Sequence, residues 1–256
     1  IFDNIFPHEP FPFSKILLKK LLSNVDIHIV QSSKVEKELK KIAPNSLYDK
    51  VFHPIYNNYP CAIDKEDAKS KLNIAEADVV LFFGLIRGYK GLDKLILSME
   101  KVFETRSDVK LLIAGECYSD KQKYISMIKK SKYSDKILWK EEYINEDEVS
   151  IYFSAANVVV LPYIGASQSG IVPLSYHYNK PVIVSDLEGL KEVVDIGKTG
   201  YVFNLKSEYD LSDSILKFLK NYNENYYSDN IESYKSNFAW SNFESSIRKL
   251  LAKLDS

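Results

Sequence analysis

The stretch Leu81-Phe-Phe-Gly-Leu-Ile-Arg-Gly-Tyr-Lys-Gly91 is an apolar run that ends at a glycine and continues into two spaced cations. Gly84 has no Cβ, so the backbone there can approach a ligand closely. Arg87 and Lys90 are three residues apart, and both side chains can face one diphosphate. The spacing of the glycines matches neither the dinucleotide fingerprint nor the Walker A motif. The stretch predicts a strand, a glycine turn and a phosphate site, and the alternative is the same turn with solvated basic side chains.

Similar apolar runs recur along the chain, separated by amphipathic segments that are long enough to form helices. Continuous apolar strands that alternate with helical patterns are typical of a parallel sheet covered on both faces. Ligands bind such sheets at the carboxyl ends of the strands, where the glycine and serine motifs of this sequence fall. We therefore predict an α/β fold. Its strands are predicted at residues 79–83, 110–114, 137–139, 157–161, 181–185 and 200–203.

Composition argues against several other classes of protein. The chain has 34 basic and 35 acidic side chains, so its net charge of -1 provides no overall attraction to nucleic acid. Cys61 and Cys117 are too few for a disulfide framework or a zinc site, which favours a reducing compartment. No apolar run approaches the ~18 residues of a membrane span. We expect a cytoplasmic protein that does not bind nucleic acid.

A second motif reads Leu161-Pro-Tyr-Ile-Gly-Ala-Ser-Gln-Ser-Gly-Ile-Val-Pro-Leu-Ser-Tyr-His-Tyr-Asn-Lys-Pro-Val-Ile-Val-Ser185. It follows Leu111-Leu-Ile-Ala-Gly-Glu116 and precedes Gly189-Leu-Lys-Glu-Val-Val194 and Gly197-Lys-Thr-Gly-Tyr-Val-Phe203. In this order, and with the Arg87 and Lys90 loop, the motifs resemble the nucleotide-sugar half of the group 1 (family 4 type) retaining glycosyltransferases. The resemblance covers nearly the whole chain, and it implies the GT-B fold of two facing Rossmann-like domains.

The resemblance also implies a division of the chain. Residues 1–55 correspond to the end of the N-terminal acceptor domain, residues 56–232 to the nucleotide-sugar donor domain, and residues 233–256 to a helix that crosses back. We therefore expect a Rossmann-like parallel-sheet domain with an incomplete second Rossmann-like domain. An enzyme fragment of this kind is expected to be inactive alone.

The motif departs from the usual pattern of the family at two positions. The family commonly has two glutamates eight residues apart, one for the donor sugar and one for the ribose, and this chain has Ser167 and Ser175 there. A Ser-Gln-Ser-Gly run resembling that of a bacterial subgroup surrounds the first position. Serine makes shorter and weaker polar contacts than a carboxylate, so Gln168 is expected to take over part of the sugar recognition.

The residues around this run are expected to bind the donor. Pro173 suits the first turn of a helix, whose free N–H groups and dipole attract a phosphate or a sugar hydroxyl. The alternative is an ordinary helix capped by Ser169. The resemblance also implies two residues of a pocket for the nucleotide base. It implies two acidic residues near the donor as well, and the alternative for these is that they are ordinary exposed surface residues. The predicted donor-binding residues are Gly84, Tyr143, Ile144, Ser167, Gln168, Ser169, Gly170, Ile171, Val172 and Ser175, and the two acidic residues are Glu116 and Glu192.

The resemblance implies a mechanism without a carboxylate nucleophile, in which the departing phosphate accepts the proton of the acceptor. Arg87 and Lys90 then stabilise the charge on the leaving diphosphate. His8 is the catalytic candidate on the acceptor side, and Asp3 occupies the alternative position. The histidines show no ligand spacing with carboxylates or cysteines, so we expect neither a metal nor another cofactor.

The expected partners are a nucleotide sugar and a glycan or lipid-linked acceptor. The segment 13–22 combines an apolar stripe with Lys15, Lys19 and Lys20, which is typical of a helix on the inner face of a membrane. A core-packed helix with a solvated basic face is the alternative. Three other functions stay open: a non-catalytic sugar-nucleotide-binding module, a nucleotide-sugar epimerase of the same fold, and, more distantly, a Rossmann oxidoreductase.

Overall fold

The computed structural model describes residues 1–6, 12–74, 77–207 and 209–254, with the backbone alone for Lys15. Its main feature is a six-stranded parallel sheet. The strands of the chain span Ile27–Val30 (β1), Leu47–Lys50 (β2), Asp78–Phe83 (β3), Val109–Ala114 (β4), Ile137–Lys140 (β5), Val158–Leu161 (β6), Val182–Ser185 (β7) and Gly200–Phe203 (β8). The six strands predicted for the main sheet, β3 to β8, are confirmed to within one residue at each end, and the α/β fold class is confirmed.

The helices fill the intervals between the strands. They span Ser14–Leu22 (α1), Ser33–Ile42 (α2), Lys65–Lys71 (α3), Leu92–Thr105 (α4), Lys121–Lys130 (α5), Val149–Ala155 (α6), Ile171–His177 (α7), Glu188–Lys191 (α8), Asp210–Lys220 (α9), Glu224–Tyr234 (α10) and Trp240–Leu254 (α11). Short 3-10 turns lie at Gly88–Lys90, Ser134–Lys136 and Lys235–Phe238.

The order of the strands determines where a ligand can bind. The sheet runs β5-β4-β3-β6-β7-β8, so the chain builds outward from β3 in one direction and then returns to β3 and builds outward in the other. The connections after β3 and β6 therefore leave in opposite directions and open a crevice at the carboxyl ends of these neighbouring strands. The strands that border the crevice are apolar and almost entirely buried, as expected for a sheet covered on both faces.

Two glycines at the ends of β3 and β4 allow the crevice to form. Gly84 has a φ of 97° and Gly115 a φ of 148°, values that side chains with a Cβ rarely adopt. A Cβ on Gly115 would lie 2.2 Å from the carbonyl oxygen of Gly84. The two turns therefore pack backbone against backbone, and any larger residue would force them apart.

A smaller unit precedes the main sheet. Strands β1 and β2 pair in parallel, and Phe2 forms an isolated parallel bridge with Val30. Its core is separate from that of the main sheet and receives α2 on one side through Val35 and Leu39. On the other side, Phe243 and Leu250 of α11 pack with Ile29, Val51 and neighbouring apolar residues. The C-terminal helix thus returns from the main sheet to the smaller unit.

The described helices are all too short or too polar to cross a membrane.

Candidate functional site

A cleft of about 400 Å³ lies at the carboxyl ends of β3, β4, β5 and β6. It brings together segments that are far apart in the sequence: the Gly84 to Lys90 loop, the Gly115 turn, the Tyr143 segment and the residues before α7. Of the predicted site residues, the cleft is lined by Asp3, Gly84, Lys90, Glu116, Tyr143, Ile144, Gln168, Ser169, Gly170 and Ile171.

Lys90 is the buried cation of the cleft. It is only 8% exposed, and its Nζ lies 3.3 Å from the position that a Cβ on Gly84 would occupy. Burial, together with the nearby charge of Arg87, lowers the pKa of Lys90 to about 8. The ammonium group also lies 5.6 Å from the ring centroid of Tyr163. A buried ammonium at the open end of a glycine turn is well placed to bind an anion that enters the cleft.

Arg87 lies at the rim rather than on the wall of the cleft. Its side chain is exposed, and its guanidinium carbon is 5.7 Å from the ring centroid of Tyr118. The hydroxyl of Tyr118 donates a hydrogen bond of 2.8 Å to Glu116, which lines the cleft. Lys90 lines the cleft, whereas Arg87 is not among the residues that line it.

The residues before α7 form one wall. Ser169 Oγ accepts a hydrogen bond of 3.2 Å from the Ile171 N–H, and the Val172 N–H lies 3.4 Å from the Ser169 carbonyl. The prediction that Gly170, Ile171 and Val172 all present free N–H groups is therefore corrected for the last two, because Ser169 and its carbonyl engage them locally. Only the seven residues Ile171–His177 follow in helical conformation.

Three predicted donor residues do not line the cleft. Ser175 is completely buried, and its hydroxyl donates a 2.7 Å hydrogen bond to the Ile171 carbonyl one helical turn earlier. Val172 is equally buried, and its side chain belongs to the main core. Ser167 is buried beneath the wall, where a Cβ on Gly189 would lie 1.7 Å from its carbonyl oxygen. Val172 and Ser175 face the protein interior because helical periodicity turns them away from the cleft, whereas Ser167 lies in the loop before α7.

Glu192 also lies outside the cleft. Its carboxylate accepts hydrogen bonds of 2.8 Å from the Ser33 N–H and 2.6 Å from the Ser33 hydroxyl. Lys50 donates to the same carboxylate at 3.1 Å. Glu192 therefore connects the segment after β7 to the start of α2. It is not among the residues that line the cleft, where the donor sugar is predicted to bind.

The wall opposite the phosphate loop comes from the smaller unit and from the segment that follows it. Asp3 and Asn4 line the cleft there, together with Tyr56 and Tyr59. Burial raises the pKa of Tyr56, and the nearby Tyr59 and Asp3 contribute further to this rise. His8, the predicted catalytic histidine, lies outside the described residues.

Sequence reasoning missed much of the aromatic lining. Tyr56, Tyr59, Tyr89 and Tyr163 all line the cleft beside the predicted Tyr143. A signal was present for two of them, since Tyr89 lies inside the phosphate-loop motif and Tyr163 directly follows a strand. Nothing local in the sequence distinguishes Tyr56, Tyr59 or Asn4 from ordinary loop residues.

Comparison with known proteins finds a similar sequence and several similar solved structures. The Salmonella typhimurium protein lipopolysaccharide 1,2-N-acetylglucosaminetransferase is 26% identical over 164 residues, covering 59% of this chain and 41% of that protein. The sucrose-phosphate synthase of Thermosynechococcus elongatus superposes with a TM-score of 0.80 at 21% identity, covering 96% of this chain and 62% of its own. The chain thus spans less than two thirds of the length of each of these two proteins.

Another similar structure is Anabaena Alr3699/HepE in complex with UDP and glucose, with a TM-score of 0.82 at 15% identity, covering 98% of this chain and 70% of that one. At these identities the structural likeness shows the fold, which is that of the GT-B glycosyltransferases. The sequence pattern that defines the family "Glycosyl transferases group 1" matches residues 64–235, which include the Lys90 loop and the cleft wall before α7. The chain therefore belongs to the group 1 glycosyl transferases.

Proposed function

We propose that the cleft binds a nucleoside diphosphate sugar and that the chain serves in its transfer, with retention of configuration, to a glycan or lipid-linked acceptor. The observation that carries this proposal is the buried ammonium of Lys90 in the cleft beside Gly84. Within the described residues, the charge that shifts its pKa is that of Arg87, and no carboxylate is among the causes. A buried cation of this kind is stabilised by a bound diphosphate.

We take uridine as the base with which to test the proposal. The similar Anabaena protein was solved with UDP and with UDP-glucose. Tyr143 and Ile144 line the same cleft as Lys90, which is consistent with a base and a diphosphate bound at opposite ends of one ligand.

The proposed reaction breaks the bond between the anomeric carbon and the diphosphate oxygen, and forms a bond from that carbon to an acceptor oxygen. The acceptor proton moves to the departing phosphate, so no protein carboxylate has to become a nucleophile. Lys90, assisted by Arg87, stabilises the charge that builds on the diphosphate. We also propose that no metal is needed, and UDP binding that is unchanged by EDTA would support this.

Replacement of Lys90 tests the proposal directly. Lys90→Met keeps much of the side-chain volume and removes the charge, so we expect UDP binding to weaken by about 1.5 to 3 kcal/mol while uridine binding stays nearly unchanged. Arg87→Ala should have a smaller effect, because Arg87 lies at the rim. The measurement is isothermal titration of UDP and uridine to the three proteins. Equal UDP affinity in wild-type and Lys90→Met protein would contradict the assignment.

We further propose that α1 contacts an anionic membrane surface. Leu18 and Leu22 pack into or against the core of the smaller unit, yet Ile16, Leu17 and Leu21 are 66%, 55% and 52% exposed. The core-packed alternative therefore accounts for only part of the apolar stripe. Lys19 and Lys20 are exposed in the last turn. Exposed apolar side chains beside lysines match the chemistry of an anionic bilayer, where each lysine contributes ~1 kcal/mol.

Sedimentation with vesicles tests this surface. We expect binding to vesicles that contain phosphatidylglycerol, weaker binding to pure phosphatidylcholine, and loss of binding in Leu17→Glu protein. Leu97→Glu is the matched control, because Leu97 on α4 is 65% exposed and so at least as exposed as Leu17. If the vesicles leave the protein in solution while sedimentation velocity shows a dimer that Leu17→Glu dissociates, the surface binds a second copy instead.

The catalytic proposal and its alternatives differ in activity. A non-catalytic module binds UDP-sugar but transfers nothing even in a longer protein, and an epimerase changes the sugar without an acceptor. We propose that the 256-residue chain binds the donor but transfers sugar negligibly, since orientation of both substrates contributes ~7 to 11 kcal/mol to such reactions and the chain spans less than two thirds of the length of the Salmonella and Thermosynechococcus proteins. A longer protein that carries this sequence should be active and should lose most activity in the His8→Ala variant. Radiolabelled transfer to extracted acceptors, with analysis of the anomeric configuration of the product, distinguishes these cases.

A further inference from the structure

Residues 31–34 (the 31–34 turn) lead from β1 into the first two residues of α2 and pack against the loop of residues 166–170 that precedes α7. The two segments belong to different units of the fold. Lys34 Nζ donates a hydrogen bond of 3.3 Å to the carbonyl of Ala166. A Cβ on Gly189 would lie 1.7 Å from the Ser167 carbonyl oxygen and 3.3 Å from the Ser32 Cβ. The turn, the loop and α8 therefore meet without space for another side chain.

Glu192 fixes the turn in this arrangement. The residue at the start of α2, Ser33, donates both its N–H and its hydroxyl to the Glu192 carboxylate, and Lys50 adds a third, charged hydrogen bond. Ser32 Oγ accepts from the Val35 N–H and so satisfies another donor at the same helix end. Hydrogen bonds of a partly buried carboxylate to several donors are among the stronger ones in proteins.

A small cavity lies at this contact. It has a volume of about 10 Å³, and its wall includes Gln31, His53 and Gln168. The side-chain oxygens of Gln31 and Gln168 are both buried and have no protein partner. The volume is about that of one water molecule, which donates two hydrogen bonds and can therefore serve two acceptor oxygens. The cavity thus suits a bridge between the turn and Gln168.

Gln168 lines this small cavity and the main cleft at once. An amide whose oxygen is held on the cavity side leaves its two N–H donors for the other side. Sugar hydroxyl oxygens accept such donors. Gln31 is not part of the cleft lining, so it can act on a ligand in the cleft only through a neighbour such as Gln168.

We propose that the 31–34 turn, held by Glu192, is a positioning element that orients Gln168 toward the sugar of a bound nucleoside diphosphate sugar. The proposal rests on the proposed function of the cleft. It assigns the smaller unit a role in recognition of the sugar, and it assigns Gln31, Ser33 and Glu192 to positioning rather than to ligand contact.

The experiment compares UDP with UDP-glucose and UDP-N-acetylglucosamine by isothermal titration, using whichever sugar nucleotide the wild-type protein binds more tightly. Gln31→Met removes the amide oxygen at nearly constant volume. Ser33→Ala removes one donor to Glu192. For each variant we expect the Kd for the sugar nucleotide to rise by about tenfold, which corresponds to ~1.4 kcal/mol, while the Kd for UDP stays within about twofold.

Two further variants separate positioning from simple stability. Glu192→Gln keeps an oxygen that accepts from the Ser33 N–H, so it should retain most of the sugar affinity that Glu192→Leu loses. Glu188→Gln is the matched control: Glu188 is the first residue of α8, which Glu192 directly follows, and it pairs with Lys37 across the same two units, but on the exposed surface. It should change neither Kd. Melting temperatures establish that each variant is folded.

Equal changes in the Kd of UDP and of the sugar nucleotide, or no change in either for Gln31→Met and Ser33→Ala, would overturn the positioning role and leave the proposed function intact. Wild-type protein that binds no UDP would overturn both.

Discussion

At the scale of single residues, Lys90 explains most of what the cleft can do. Its ammonium is buried beside the Gly84 turn, and Arg87 is the nearby charge that adds to the effect of burial. A bound diphosphate is expected to raise the pKa of Lys90 again, because two nearby negative groups favour the protonated form of its amine. In the proposed function, Lys90 therefore couples the protonation of the site to the binding of the diphosphate.

The lowered pKa makes UDP binding depend on pH. In the free protein Lys90 loses its proton as the pH rises through about 8, so we expect UDP affinity to be highest below pH 8 and to fall above it. Titrations between pH 6.5 and pH 9.5 measure this. Lys90→Arg keeps its charge throughout, and its UDP affinity should stay nearly constant over the same range. A wild-type profile as flat as that of Lys90→Arg would rule out Lys90 as the titrating group.

The lowered pKa of Lys90 also affects the free energy of unfolding, but this contribution rises with pH whereas the UDP affinity falls. Its pKa is lowered from 10.5 in the unfolded chain to about 8 in the folded protein, so the unfolded chain binds more protons between these values. The contribution of Lys90 to the free energy of unfolding therefore rises with pH across that window. Lys90→Met should abolish this contribution in denaturant titrations.

At the scale of elements, the cleft wall before α7 is held by contacts on both of its sides. Gly170 borders Tyr56 from the segment that joins the two units, and a Cβ on Gly170 would lie 2.5 Å from the Tyr56 hydroxyl oxygen. The backbone of Gly170 is in the ordinary right-handed helical region. A side chain at position 170 would therefore clash with Tyr56, whereas the backbone conformation of Gly170 is one that any residue can adopt.

This contact predicts a rescue. Gly170→Ala should reduce stability by about 1 to 3 kcal/mol and weaken UDP-sugar binding, because Tyr56 has to move. Tyr56→Phe removes the hydroxyl and leaves the nearest ring carbon at 3.7 Å, so the double variant should recover much of the loss. A double-mutant cycle measures the coupling, expected at about 0.5 to 3 kcal/mol.

Gly165→Ala is the control for this cycle. It makes the same substitution in the same connection, where an added Cβ has no neighbour within 4 Å. We expect it to be neutral. Additive effects of Gly170→Ala and Tyr56→Phe would show that the two residues do not compete for space.

At the scale of the whole molecule, the protein consists of a large sheet and a smaller unit that α11 connects. The helix begins near the main core and ends against β1 and β2, where Leu250 is completely buried. No residue of α11 is among those that line the cleft.

Truncation of Leu250 tests how independent the two parts are. Leu250→Ala should reduce the free energy of unfolding by about 2 to 5 kcal/mol, because it leaves a cavity under α11. Leu251→Ala, on the exposed side of the same helix, should cost less than about 0.5 kcal/mol. UDP affinity should be unchanged in both. A loss of UDP affinity in folded Leu250→Ala protein would show that the smaller unit supports the phosphate site as well as the sugar wall.

The sequence by itself determined the parallel strands, the glycine turn after β3 and the cation Lys90. These features are local: strand periodicity, a glycine at positive φ and a nearby lysine are all set by residues close together in the chain. The local sequence does not predict that Ser175 and Val172 are buried, because the side of α7 that faces the core depends on which other elements pack against the helix. Ser175 lies on the inner side, and its hydroxyl bonds to the carbonyl four residues earlier.

Only the tertiary structure decided which distant residues share the cleft and which share the contact beneath it. Asn4 and Tyr56 meet residues more than a hundred positions away, and Glu192 meets Ser33 across 159 positions. No local pattern encodes such pairs, since they depend on the strand order and on the docking of the smaller unit. The sequence gives the chemistry of each side chain, but the packing of the two units determines which other residues that side chain contacts.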